Sequence, residues 1–180
     1  MMKARMTALM QSQYQAWNSP PEIMQLLHAG WPDGVDVDPC SNDGSIVGAS
    51  ITYDETADGL SKDWSDGLTS AGLVYVNPPY GKALPVWAAA IASQHKAMRD
   101  AGKMHAIISL VPARTDTAWF RSLLDGAEGV IFLAGRVKFI GAPASAPFPS
   151  VLVVHQYGAI SRVRKVAAAA KARGGIVFNA

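Results

Sequence analysis

The amino-acid sequence predicts an α/β domain in which a mainly parallel sheet, its last strand pair open to reversal, is flanked by helices. Two observations carry this reading. Short apolar runs suited to strands alternate along the chain with longer segments that have helical apolar spacing. In addition, 180 residues that are 49% hydrophobic and 17% charged suffice for one substantial core and lack the bias of a disordered chain.

The elements follow in order. Residues 1–15, rich in methionine and glutamine, are expected to form a flexible leader, because no long apolar segment precedes a cleavage site; residues 16–180 are expected to form a single domain. Ser19 is placed to cap a helix with Pro20 or Pro21 in its first turn and Glu22 close behind. Ile23, Met24, Leu26 and Leu27 supply its apolar face, and Gly30 its end. Residues 35–37 form a short strand running into the turn-rich loop 38–44. Another short strand is expected at 51–53, followed by an acidic loop. The run 73–76 is the clearest strand. Residues 84–101 read as a helix stopped by Gly102, and 105–111 as a buried strand. A helix at 117–124 and a strand at 129–133 follow. Residues 136–140 suit an edge strand or hairpin arm, 151–155 a strand, and 161–173 a helix.

Several function classes are excluded at this level. No apolar run approaches the roughly 20 residues of a membrane-spanning helix, so no membrane partner is expected. Cys40 is the only cysteine, which rules out an internal disulfide and a cysteine-rich zinc site. His28, His95, His105 and His155 show no metal-ligand spacing, so no metal is expected. The net charge of +2 does not by itself point to nucleic acid. The cluster Arg162, Arg164, Lys165, Lys171 and Arg173 reads equally as a solvated helix face or a phosphate-contacting one.

The most informative feature is Asn77-Pro78-Pro79-Tyr80, directly after a buried strand. An Asn-Pro-Pro-aromatic tetrapeptide arises by chance in about one chain of this length in a thousand, and the carboxyl end of an α/β strand is where ligands bind. These residues suit one kind of chemistry. An amine conjugated to an aromatic ring is a poor nucleophile, because its lone pair is delocalised. Two acceptors bonded to its N–H groups favour a pyramidal nitrogen and return the lone pair for attack. Asn77 offers a side-chain carbonyl. Pro78 offers a backbone carbonyl, whose direction the locked φ angles of Pro78 and Pro79 fix. Tyr80 offers a face for stacking. The alternative is a strand-terminating turn with a packed aromatic.

Asn-Pro-Pro-Tyr resembles the catalytic motif of amino-group methyltransferases. Alone it indicates the chemistry rather than the substrate, so an RNA or protein-glutamine methyltransferase remains an alternative, as does a non-catalytic DNA-binding module. The wider run resembles the Dam-like DNA adenine methyltransferases of phages and prophages. The matching pieces are Trp17-Asn18-Ser19-Pro20, Asp36-Val37-Asp38-Pro39-Cys40-Ser41, Gly59-Leu60 with Trp64, the Asn77 motif with Gly81, the segment from Val111 to Thr117 with Trp119-Phe120, and Gly135-Arg136-Val137-Lys138-Phe139.

This resemblance implies a Rossmann-like fold, S-adenosylmethionine as cofactor, double-stranded DNA as partner and the cytoplasm of a bacterial host as location. It implies that Asn77, Pro78, Pro79 and Tyr80 orient the N6 amine of a flipped adenine. It also implies that Ser19 and Pro20 contact the cofactor's methionine part, and that Asp36, Asp38, Pro39, Cys40 and Ser41 form the cofactor loop. The Gly-rich signature usual for that loop is absent, and only Gly44 follows. Asp54 or Glu55 would serve the cofactor ribose, and Asp63 or Asp58 its adenine. The stretch between Asp38 and Trp64 is short for a full helix, strand and loop, so an abbreviated second unit is expected. On the DNA side, Phe139 is expected against the flipped base or in the core, with Arg114 and Arg136 as contacts.

Overall fold

The computed structural model describes residues 17–179, so the expected leader 1–15 lies outside the described residues. In chain order the elements are α1 (Pro21–Gly30), β1 (Val37–Asp38), β2 (Ile51–Thr52), a 3-10 turn (Gly59–Ser61), β3 (Gly72–Val76), α2 (Leu84–Asp100), β4 (His105–Pro112), α3 (Ala118–Leu124), β5 (Gly129–Phe132), β6 (Ser150–Tyr157), α4 (Ile160–Ala172) and β7 (Ile176–Asn179). The strands form one sheet in the order β2-β1-β3-β4-β6-β5-β7.

The sheet is mixed, which corrects the expectation of a mainly parallel one. Strands β1 to β4 pair in parallel, whereas β6 is antiparallel to both β4 and β5, and β7 is antiparallel to β5. An apolar run such as Val151-Leu152-Val153-Val154 reports burial on both faces, but side-chain periodicity is the same for either strand direction. Strand β7 was not anticipated.

Alternation along the central strands sorts their side chains into two cores. Leu73 and Tyr75 join Ile23, Leu27, Val163 and Val166 beneath α1 and α4. Val74 and Val76 join Trp87, Ile91, Phe120 and Leu123 beneath α2 and α3. Gly30 ends α1, as expected, and also permits a close helix crossing: a Cβ there would lie 2.6 Å from the Arg162 carbonyl oxygen of α4.

Two further local expectations change. Ser19 does not cap α1; Pro20 is the N-cap residue, and the buried Ser19 Oγ pairs with Tyr75 Oη at 2.7 Å. Residues 136–140 form no named strand; only Ile140 bridges to Asn18. The abbreviated second unit does appear, since no α-helix separates β1 from β2 or β2 from β3.

Candidate active site

Because β1 to β4 run in parallel, their carboxyl ends share one edge of the sheet. From β1 the chain moves outward to β2, then returns to place β3 on the other side of β1. Such a switch in direction leaves a crevice above the strand ends. A cavity of about 920 Å³ opens there, lined by the loop after β1, the acidic segment after β2, Asn77 and Pro79 after β3, and Trp17 and Trp87.

The Asn77 amide is held in one orientation. Its Nδ2 donates to the Trp17 carbonyl oxygen at 2.6 Å. A carbonyl only accepts, so the amide nitrogen must face Trp17 and Oδ1 must face away from it. Among the described residues no side chain or backbone group donates to Oδ1. Pro78 is buried and Pro79 lines the cavity. The Tyr80 hydroxyl donates to the Leu110 carbonyl oxygen at 3.3 Å. Its ring meets Phe139 and Phe148 edge-on, with centroids 5.8 and 5.7 Å apart. Phe139 is buried and also lies 6.5 Å from the Trp17 ring. Tyr80 and Phe139 therefore touch at a steep angle and are not spaced as two parallel faces around a base.

The loop after β1 is shaped from beneath. Asp38 is buried, and its Oδ1 accepts from the Cys40 N–H at 3.1 Å. Burial raises its carboxyl to about 6, against the opposing bonds from Cys40 and Ser41. Burial, and then the Asp38 charge, push the Cys40 thiol well up, while the Asn77 N–H opposes the shift. Pro39, Cys40 and Ser41 line the cavity. Gly59 explains how this loop meets the 3-10 turn: a Cβ there would fall 1.8 Å from the Pro39 carbonyl oxygen, so only glycine fits. Trp64 locks the contact, donating from Nε1 to the Gly59 carbonyl at 2.8 Å and stacking on Trp87.

The carboxylates divide. Asp54, Glu55 and Asp58 line the cavity together with Asp43. Asp54 follows β2 and accepts from the Ala57 N–H at 2.8 Å, a bond that lowers its pKa. Asp63 lies outside the cavity, capping Ser65, as does Asp36, which is buried and accepts from the Thr69 and Leu73 N–H groups at 3.1 and 2.8 Å. Asp36 thus ties β1 to the approach of β3.

The remaining expected residues lie elsewhere. Ser19 is buried against Tyr75. Pro20 and Arg136 line a second, smaller hollow. Arg114 follows β4 and pairs with Asp116 at 3.4 Å. Sequence reasoning missed Trp17 as a clamp, because the group involved is a backbone carbonyl common to every residue. It also missed Asp43, Thr56 and Trp87 in the lining, whereas Asn42, at the end of the expected cofactor loop, does line it; a tryptophan early in the helix that follows the motif was the available signal for Trp87.

Three histidines that the sequence left scattered meet at the opposite edge of the sheet. His95 Nδ1 and His105 Nε2 are 2.9 Å apart, and the His95 and His155 ring centroids are 5.3 Å apart. Among the described residues no group of three His, Cys, Asp or Glu side chains is arranged to hold a metal ion, and no helix is long and apolar enough to cross a membrane.

An α/β sheet with a ligand-sized cavity at its carboxyl edge, and an Asn-Pro-Pro-Tyr turn on the rim, is compatible with a methyltransferase fold. The family described as DNA N-6-adenine-methyltransferase (Dam) matches residues 6–156, and the chain belongs to that family. Membership implies methylation of adenine at N6, with DNA as the substrate. The chain matches no curated protein.

Proposed function

We propose that the chain transfers a methyl group from S-adenosylmethionine to the N6 amine of an adenine extruded from duplex DNA, with the cavity at the carboxyl edge as the cofactor site. The observation that carries this reading is the Trp17 clamp, which aims Asn77 Oδ1 as an open acceptor at the rim of that cavity. The residues present fit the cofactor. A cavity of about 920 Å³ is in the range of small-molecule sites, roughly 300–1,000 Å³. Asp43, Asp54, Glu55 and Asp58 suit a ligand that carries an ammonium group, a sulfonium and a ribose diol, and Trp87 gives an apolar wall.

Asp54, at the end of β2, would hold the ribose hydroxyls, as carboxylates in that position do in nucleotide-binding sheets. Asp58 would meet the cofactor's adenine. Pro39, Cys40 and Ser41 would line its amino-acid part. The bound cofactor supplies a methyl group on an electrophilic sulfonium. The protein's own work is positional. Asn77 Oδ1 accepts one N6 hydrogen and the Pro78 carbonyl the other, so the nitrogen lone pair turns toward the methyl. Both acceptors are set before the base arrives, so little reorganisation remains during transfer. Tyr80 stacks on the base by one ring face, with its position fixed by Phe139 and Phe148. Extrusion of the base costs a few kcal/mol, which this contact partly offsets.

The test is incubation with methyl-labelled S-adenosylmethionine and duplex DNA, followed by digestion to nucleosides. Label in N6-methyladenine is expected. Label confined to RNA or protein, or DNA binding with no transfer, would overturn the reading.

A further inference from the structure

Charge is divided around Asn77. The large cavity is lined by Asp43, Asp54, Glu55 and Asp58 and by no lysine or arginine. A second hollow of about 330 Å³ has Arg136, Lys138 and Arg173 around it against the single carboxylate Glu22, over an apolar floor that includes Ile23 and Leu26. Among the described residues none of these three cations forms an ion pair. Arg173 is nonetheless fixed, donating to the Glu22 carbonyl oxygen at 3.0 Å and to Gln25 Oε1 at 2.8 Å. Both acceptors are neutral, so these bonds leave the Arg173 charge uncancelled.

The two hollows are neighbours. Trp17 lines the first and Pro20 the second, and three residues of chain span at most about 11 Å. Phe139, which directly follows Lys138 of the second hollow, is buried against Tyr80 and next to Trp17 of the first. The Ile140 N–H bonds the Asn18 carbonyl at 2.9 Å, fixing the post-β5 segment to this chain.

We propose that the second hollow seats the DNA strand beside the extruded adenine, with Arg136 and Lys138 on its phosphates and Arg173 strengthening the field. This rests on the function proposed above. A strand whose base enters at Asn77 cannot run over the carboxylates of the large cavity without like-charge repulsion. It leaves toward Arg136 and Lys138, where cations without ion-pair partners await an anion. At a rise of about 3.4 Å per nucleotide, the hollow meets phosphates within about three nucleotides of the target.

The experiment measures duplex affinity against salt for the wild type, for Arg136→Gln/Lys138→Gln and for Arg164→Gln/Lys165→Gln, whose cations lie elsewhere on α4. S-adenosylmethionine affinity serves as the check that each variant is folded. The first pair is expected to weaken binding at least tenfold at low salt and to flatten the slope of log affinity against log salt by about two, near one for each phosphate no longer neutralised. Methylphosphonate linkages within three nucleotides of the adenine should weaken the wild type and leave that pair unaffected. An unchanged slope, or an equal loss in the Arg164/Lys165 pair, overturns the proposal while the methyl-transfer reading stands, provided that the wild type labels DNA. Failure of the wild type to label DNA sinks the reading and this proposal with it.

Discussion

The two edges of the sheet use polar groups in opposite ways. At the carboxyl edge, polar side chains are held on one side and open on the other: Asn77 is tethered through Nδ2 with Oδ1 open, and Asp54 is bonded to Ala57 while facing the cavity. At the amino edge of β4, three histidines turn inward, and two of them, His95 and His105, bond to each other. The Lys103 carbonyl oxygen lies 2.7 Å from His105 Nδ1, so that nitrogen carries the hydrogen. His105 Nε2 then accepts from His95 Nδ1, and in a neutral ring His95 Nε2 is left bare, 3.7 Å from Glu128 Oε1. The capacity left over here, on His95 Nε2 and on both His155 nitrogens, is buried and faces no open space. What separates a site from a buried polar network is spare bonding capacity directed at open space.

The two edges also differ in how they answer pH, and the largest expected effect lies there. Burial holds His95 and His155 at about 4, with His105 nearby adding to the shift on His95. Above the unfolded value near 6.5 both states are neutral and stability is complete. As pH falls from about 6.5 toward 4, the unfolded chain takes up protons that the folded chain refuses, and stability is lost. Asp38 works the other way: raised to about 6, it costs stability as pH rises from about 3.8 to 6. Glu128, also raised by burial, has the same sign as Asp38, and Arg99 opposes it. Asp38→Asn removes one opposing slope. At about 1.4 kcal/mol per pKa unit, the variant should gain up to about 3 kcal/mol over the wild type at neutral pH and lose it on acidification. Urea unfolding between pH 7 and 4 measures this. A gap that is widest at pH 4 would contradict it.

Next in size is Asn77→Ala. Turnover should fall at least a hundredfold, about 2.7 kcal/mol of transition-state stabilisation, with S-adenosylmethionine affinity nearly intact. Single-turnover kinetics separates the two, and an active variant would remove the open-acceptor account of the carboxyl edge. Asp54→Ala should do the converse, weakening cofactor affinity about tenfold, or 1.4 kcal/mol, by calorimetry. Unchanged affinity would place the ribose elsewhere.

How much of this was legible in the sequence follows from which groups carry side-chain signatures. Strand β3, the turn after it and the helix α2 were readable, because an apolar run, two adjacent prolines and a helical apolar face are properties of residue types. The brevity of the second unit was readable as a length. Strand direction was not, since Val151-Leu152-Val153-Val154 reads alike in either direction, and β7 is a four-residue strand near the end of the chain. The clamp on Asn77 escaped because it is a backbone carbonyl 60 residues away. The histidine cluster escaped for a related reason: positions 95, 105 and 155 share no local period and meet only where α2, β4 and β6 pack. Asp36 and Asp38 look alike in sequence, yet one carboxylate bonds two amides of a neighbouring segment and the other supports the loop after β1.

Tyr80 sharpens the comparison, and its phenylalanine variant carries the smallest effect. Its hydroxyl makes one long bond to Leu110 at the inner end, and burial pushes its pKa far up, so the phenol stays neutral and takes no part in proton transfer. Tyr80→Phe should therefore cost under about 1 kcal/mol in stability and change turnover less than threefold. Tyr80→Ala removes the ring that Phe139 and Phe148 contact edge-on and should cost about 3 kcal/mol as well as most of the activity. If the two variants lose activity equally while Tyr80→Phe stays folded by thermal melting, the hydroxyl and not the ring face is the working group. Tyr80 would then belong with the inward-bonded histidines rather than with the open acceptors beside it.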